Sequence, residues 1–254
     1  MARGTKKSDM DKPWNRKRGE RLKPDSISVR KRILIVNEDT KSSCWYFDEL
    51  GKMAPPGSLA VTVCGTGKNT LSLVNDIGHK RAEEEEKLKR AGVENPKFDE
   101  VWAVFDKDDF EDCYFDNAIT KGNSLPDCQV AWSNPCFEYW YVLHFENLVT
   151  PIHRNALFKK LETIIPWYRS EYGSTSYRVL KGDKGKEDKG EKLHRKMAHC
   201  PNLEEALKRA EKQDWQWENS KEPFHNRNPS TLVYRLVRSI VKMSPMLSRV
   251  AKSR

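Results

Sequence analysis

Four short apolar runs punctuate the first half of the chain, at residues 33–36, 59–64, 101–105 and 129–132. Each is followed by a stretch with helical spacing, which predicts a βαβαβαβα order. The first such stretch covers 40–50. The second covers 69–91, with Leu71, Val74, Ile77 and Leu88 as its apolar positions and a charged run over 81–87. Strands alternating with helices imply a mostly parallel sheet, whose right-handed crossovers place loops and sites at the C-terminal ends of the strands. A fourth helix is signalled by Ser133-Asn134-Pro135, with Asn134 as cap and Pro135 at the first helical position. Its Phe137, Trp140, Tyr141 and His144 follow the i, i+3, i+4, i+7 spacing of a buried stripe. Beyond about residue 150 only helices are predicted, over 154–163, 203–212 and 230–243. The reading is an α/β protein: a four-stranded, mostly parallel sheet with flanking helices over 31–150, preceded by a tail over 1–30 and followed by a helical region over 151–254.

Composition narrows the class. Of 254 residues, 37% are hydrophobic, and eight Trp, eight Tyr and nine Phe suffice for a core, which excludes a disordered chain. No apolar run approaches the roughly 18 residues of a membrane span. The six cysteines form no Cys-x-x-Cys pair, and the first 32 residues lack the apolar stretch of a signal peptide, so a reduced, cytoplasmic protein without structural zinc is expected. The net charge of +9 is concentrated at the start, where residues 1–32 hold twelve Lys/Arg against four acids. A basic tail beside a folded domain gains affinity for phosphate backbones by counterion release, which points to nucleic acid; a solubilising extension is the alternative. Further basic concentrations lie over 178–196, around a Gly/Lys-rich loop at 181–186, and at the end, in Arg235, Arg238, Lys242, Arg249, Lys252 and Arg254.

Candidate chemistry sits after the first and third strands. Val36-Asn37-Glu38-Asp39 and Phe105-Asp106-Lys107-Asp108-Asp109 deliver carboxylates at the ends of two strands. Adjacent strands about 4.8 Å apart allow these acids to share a metal ion, and Asp106 and Asp108 point the same way if the strand continues. Magnesium takes oxygen ligands and is content with one or two carboxylates plus substrate phosphate, so displacement at phosphorus is the chemistry such a set suits. Capping of the following helices is the competing explanation, above all for Glu138 in a first helical turn. The run Gly65-Thr66-Gly67-Lys68-Asn69-Thr70 is a turn rather than a phosphate loop, since Asn69 stands where Ser or Thr must follow the lysine. His194 and His199 read as residues of a solvated helix. Trp102, Trp132, Trp140 and Trp167 read as core, and Trp215 and Trp217 as a satellite cluster.

Together these motifs carry a family resemblance. Glu38 followed by Thr40 and Lys41, the run from Phe105 to Asp109, Ser133-Asn134-Pro135-Cys136-Phe137-Glu138-Tyr139-Trp140 ending in Leu143-His144-Phe145, and Asn228-Pro229-Ser230-Thr231 resemble the RloB family over roughly residues 30–240. That family is regarded as carrying a Toprim-like domain, the catalytic fold of topoisomerases, primases and OLD nucleases. The resemblance implies Glu38 as general acid/base and metal contact, Asp106 and Asp108 as the metal-binding and catalytic Asp-x-Asp, Asp109 as a supporting acid at the metal and Glu138 as a supporting catalytic acid, with Mg2+ or Mn2+ as cofactor. It implies a nuclease for tRNA or DNA, the toxic effector of a bacterial antiphage, abortive-infection system, beside a partner ATPase of the ABC or AAA type; self-assembly is left open. Asp39 stands where the family commonly places Gly, and Asn37 precedes the glutamate, so a side chain is expected to narrow the turn over the site. A non-catalytic nucleic-acid-binding subunit is the rival reading, and a topoisomerase- or primase-like activity a weaker third.

Overall fold

A computed structural model describes residues 30–182 and 184–242. Of the tail expected over 1–30, only Arg30 lies among them, and Arg249, Lys252 and Arg254 fall outside. The expected strands appear as β1 (Arg32–Asn37), β2 (Ala60–Gly65), β3 (Glu100–Asp106) and β4 (Cys128–Asn134), all parallel. Ile33, Leu34, Ile35 and Val36 are wholly buried, as an unbroken apolar run must be when both faces of a parallel sheet are covered.

The sheet has five strands, not four, in the order β2-β1-β3-β4-β5. The fifth, β5 (Ser230–Thr231), runs antiparallel to β4 and comes from the region expected to be purely helical. There the helix predicted over 230–243 is shortened to α10 (Val233–Val241). Two residues are too few to show a period. Ser230 and Thr231 are held by side-chain and backbone pairing, with the Ser133 and Thr231 hydroxyls 2.9 Å apart and the Leu232 amide donating to Trp132 O at 2.8 Å.

From β1 the chain passes through α1 (Ser42–Lys52) to β2 on one side, then through α2 (Thr70–Arg90) across to β3 on the other, and on through α3 (Asp112–Ser124) to β4. Right-handed crossovers in opposite directions put α1 on one face and α2 and α3 on the other. The loops leaving β1 and β3 therefore diverge and open a crevice between two neighbouring strands. Asn69 caps α2 by accepting from the Ser72 amide at 3.0 Å; Leu73, Val74 and Ile77 bury its first half, and i,i+3 and i,i+4 ion pairs line the second.

Asn134 is not a helix cap. It ends β4, its amide donates to His225 O at 2.9 Å, its bond to Pro135 is cis, and α4 (Glu138–Leu143) begins four residues later. The expected stripe is buried nonetheless: Phe137, Trp140, Tyr141 and His144 are all in the core. The later helices are α5 (Arg154–Ile164), α6 (Tyr168–Tyr172), α7 (Tyr177–Gly182), α8 (Glu187–Ala198) and α9 (Leu203–Ser220), the last longer than the expected 203–212. Within the stretch read as a basic loop at 181–186, Lys181 and Gly182 end α7 and Lys184–Lys186 form a short 3-10 turn leading into α8.

Gly190 of α8 sets how closely these two helices approach, because a Cβ there would stand 2.3 Å from the Leu180 carbonyl oxygen. Gly190→Ala is expected to destabilise the protein by about 2 kcal/mol through overpacking, measured by urea denaturation; an unchanged midpoint would show that α7 is free to move.

Candidate active site

The crevice at the ends of β1 and β3 holds a cavity of about 200 Å³ lined by Asn37, Glu38, Asp39, Ser43, Phe105, Asp106, Asp108 and Lys181. Its near wall is built by the β1 turn. The buried Asn37 amide donates to Ser43 Oγ at 2.7 Å, and Asn37 Oδ1 accepts from the Asp39 amide at 3.2 Å. Thr66 and Gly67 donate their amides to Asn37 O and Glu38 O, tying the β2 end to the same turn. The approach is so close at Gly65 that a Cβ would lie 2.7 Å from Thr40 Cα.

Asp39 does not simply narrow this turn. Its carboxylate accepts from the Lys41 and Ser43 amides at 3.0 and 3.2 Å, so it satisfies the open end of α1 while facing the cavity. Burial opposes its charge, but Lys181 and those amides outweigh burial and hold its pKa below the ordinary aspartate value.

Glu38 continues the parallel ladder, its amide donating to Val104 O, and its Oε2 accepts from the Asp106 amide at 3.3 Å and Thr70 Oγ1 at 3.5 Å. Burial, reinforced by the charges of Asp108 and Asp39, pushes its pKa up to about 7. Asp106 is pushed well above the ordinary range, by burial first and then by Asp108. Among the described residues, no hydrogen bond or ion pair reaches its carboxylate.

Asp108 enters the cavity by a turn rather than by strand alternation. β3 ends at Asp106, and Asp108 has φ 41°, in the left-handed region that Asp tolerates better than most residues. Its amide donates to Pro135 O at 2.9 Å, and its Oδ1 lies 3.1 Å from the Arg154 guanidinium. Burial raises its pKa, an effect that Lys181 and Arg154 only partly offset. Asp109 is not part of this set: its side chain is 71% exposed and pairs outward with Arg154 at 3.3 Å.

Glu138 lies behind the cavity, fully buried. Its Oε1 sits 2.9 Å from Lys181 Nζ, and its Oε2 has no hydrogen-bond partner among the described residues. Burial disfavours its charge, but Lys181 outweighs that and holds its pKa below the ordinary glutamate value. Lys181 in turn stays protonated against burial because Glu138, Asp106 and Asp39 surround it. Beside this pair, His194 is buried, its Nδ1 is 2.9 Å from Tyr141 Oη, and burial pushes its pKa down to about 4. It is therefore a neutral core residue, whereas its expected companion His199 is exposed and pairs with Glu49.

Glu38, Asp106 and Asp108 are thus brought to one cavity, Glu138 to its back wall, and Asp109 to the outside. As their side chains stand, no three His, Cys, Asp or Glu among the described residues form a set that could hold a metal ion. Lys181 and Arg154 were missed as site residues. The spacing of Tyr177, Leu180 and Lys181 carried a usable signal, since apolar residues at i and i+3 place i+4 on the same inward face.

A family model for RloB-like proteins matches residues 33–240, most of the chain and every residue lining the cavity. The chain belongs to the RloB-like family. Searches of curated proteins and of solved structures return no match. The Asn-Pro pairs of this RloB-like chain flank the β4–β5 pairing: Asn134 pairs with Ser230, and Asn228, two residues before it, bonds through its side chain to the backbone of Ile152. No helix among the described residues of the RloB-like chain is long and apolar enough to cross a membrane.

Two outcomes follow for this RloB-like site. Lys181→Met leaves the buried Glu138 without its counter-charge and is expected to cost about 3 kcal/mol of stability, partly restored when Glu138→Gln is added; thermal denaturation of single and double variants checks it. The folded protein also holds the Glu38 proton more tightly than the unfolded chain does, so this residue's contribution to stability falls as pH rises from about 4.5 to about 7. In metal-free buffer, Glu38→Gln should therefore raise the melting temperature by a few degrees at pH 8 and by little at pH 4.5.

Proposed function

We propose that this RloB-like protein is a metal-dependent phosphodiesterase of Toprim type that cuts nucleic acid, tRNA or DNA. The observation that supports this reading best is the meeting of Glu38, Asp106 and Asp108, from the ends of two adjacent parallel strands, in one cavity with Lys181. Among the described residues no hydrogen bond or ion pair reaches the Asp106 carboxylate, and Asp108 opposes its charge more than Lys181 favours it, so the donor set is rich in oxygen. That suits a hard divalent cation held by two carboxylates, water and substrate phosphate better than a closed protein cage. Asp106 and Asp108 would hold Mg2+ or Mn2+, with Glu38 beside it. When bound, the ion supplies polarisation of the phosphoryl oxygen and a nucleophile at neutral pH.

The chain's own residues carry the rest. Glu38 faces the same cavity beside the acids that would hold the ion, where its carboxylate is placed to take or return a proton. Lys181 presents a fixed positive charge to a phosphodiester entering the cavity, and Glu138 holds that charge in place. Arg154 orients Asp108. The family resemblance adds the setting: the toxic effector of an antiphage system, controlled by a partner ATPase.

The rival reading, a binding subunit without catalysis, draws on the absence of a ready-made three-ligand metal set among the described residues. Purified protein incubated with tRNA and with DNA in Mg2+ or Mn2+ separates the two. Asp106→Asn and Asp108→Asn should each lower cleavage at least about 1,000-fold while leaving substrate binding in place. Cleavage unchanged in both variants would overturn the nuclease reading.

A further inference from the structure

Next to the acidic cleft lies a second cavity of about 190 Å³, lined by Asn69, Thr70, Leu71, Ser72, Asn75, Phe110 and Tyr114. Two residues link it to the site, one from the start of α2 and one from the loop after β3. Thr70 lines it and also donates its hydroxyl to Glu38. Phe110 lines it and follows Asp108 by two residues, at most about 7 Å of chain. Tyr114 stands in the first turn of α3 with half of its surface in solvent (51%), beside the exposed Asn69, Ser72 and Asn75. Among the described residues no ring, cation or hydrogen bond engages its side chain.

The remaining wall is polar in a particular way. Asn69 Oδ1 is used up in capping α2, which leaves its NH2 group free, and the Asn75 side chain and Ser72 hydroxyl have no partner among the described residues. Free amide donors and acceptors beside an uncovered aromatic face match the two demands of a nucleobase: a π surface to stack on and edge groups to hydrogen-bond. A phosphate would be drawn to a basic pocket, but none of the lining residues is charged. An aliphatic ligand would have no use for the amides.

We propose that this cavity is a nucleobase subsite, in which one unpaired base of the cut strand stacks on Tyr114 while its neighbouring phosphodiester lies in the acidic cleft. The proposal rests on the phosphodiesterase reading and specifies its substrate: single-stranded or looped nucleic acid, because a base inside a duplex cannot enter without leaving the stack. Tyr114 is a specificity residue here, acting on the base and not on the reacting atoms.

The test uses the full chain, 12-nucleotide RNA and DNA single strands and their blunt duplexes, with fluorescence anisotropy for binding and gels for cleavage in Mn2+. Tyr114→Ala should weaken single-strand binding about tenfold, Tyr114→Phe should stay within about twofold of wild type, and both should melt with the wild type. An abasic site moved along the strand should suppress wild-type cleavage at one position next to the cut and leave the already weakened Tyr114→Ala unaffected. If the wild type cuts but Tyr114→Ala binds and cuts every substrate equally well, or if duplex is bound as tightly as single strand, the subsite is overturned and the phosphodiesterase stands. If the wild type cuts nothing while Tyr114→Ala still loses its tenfold in binding, the subsite stands and the phosphodiesterase falls. No cleavage and no difference in binding would overturn both.

Discussion

The mutual repulsion of carboxylates at the ends of β1 and β3 is the constraint around which the molecule is organised. Glu38, Asp39, Asp106 and Asp108 face one small cavity, and Glu138 lies buried behind it. Left alone, such a set would take up protons or push the loops apart. One response is visible in Glu38 and Asp106, whose pKa values are raised. The other is Lys181, whose ammonium pairs with Glu138 and keeps Asp39 ionised. The site is thereby only partly neutralised, and the negative charge that remains is what the proposed divalent cation would offset.

This balance makes the helical region part of the site. Lys181 arrives on α7, positioned by the close approach of α8 at Gly190; Arg154, at the start of α5, restrains Asp108; and β5 completes the sheet beside β4. An α/β sheet carrying the same acids without these helices would lack its internal counter-charge. Loss of the Lys181–Glu138 pair would disturb the core and the cleft together, because Glu138 has no solvent to fall back on.

The strands, their parallel order and the acids after β1 and β3 were legible in the sequence because unbroken apolar runs such as Ile33 to Val36 are buried on both faces. Local composition misled where tertiary placement overrides it. Residues 178–196 read as a basic concentration around a Gly/Lys-rich loop, and nothing in that composition shows that Lys181 turns inward to Glu138 or that His194 is buried. Asp108 was expected to face the site by strand alternation, but a left-handed turn brings it into the cavity, while Asp109 stays exposed and meets the same Arg154 from outside. Asp39 looked like an obstruction, and its role as acceptor for α1 amides becomes visible only in three dimensions.

Calorimetric titration of Mn2+ into metal-free protein at pH 6.5, in two buffers of different ionisation enthalpy, tests the central claim most directly, because it reads cation binding and proton release together. If the carboxylates hold protons in place of a cation, binding should expel protons from Glu38 and Asp106, and Glu38→Gln and Asp106→Asn should each reduce both affinity and proton release. Absence of binding, or binding without proton release that neither substitution alters, would contradict the account.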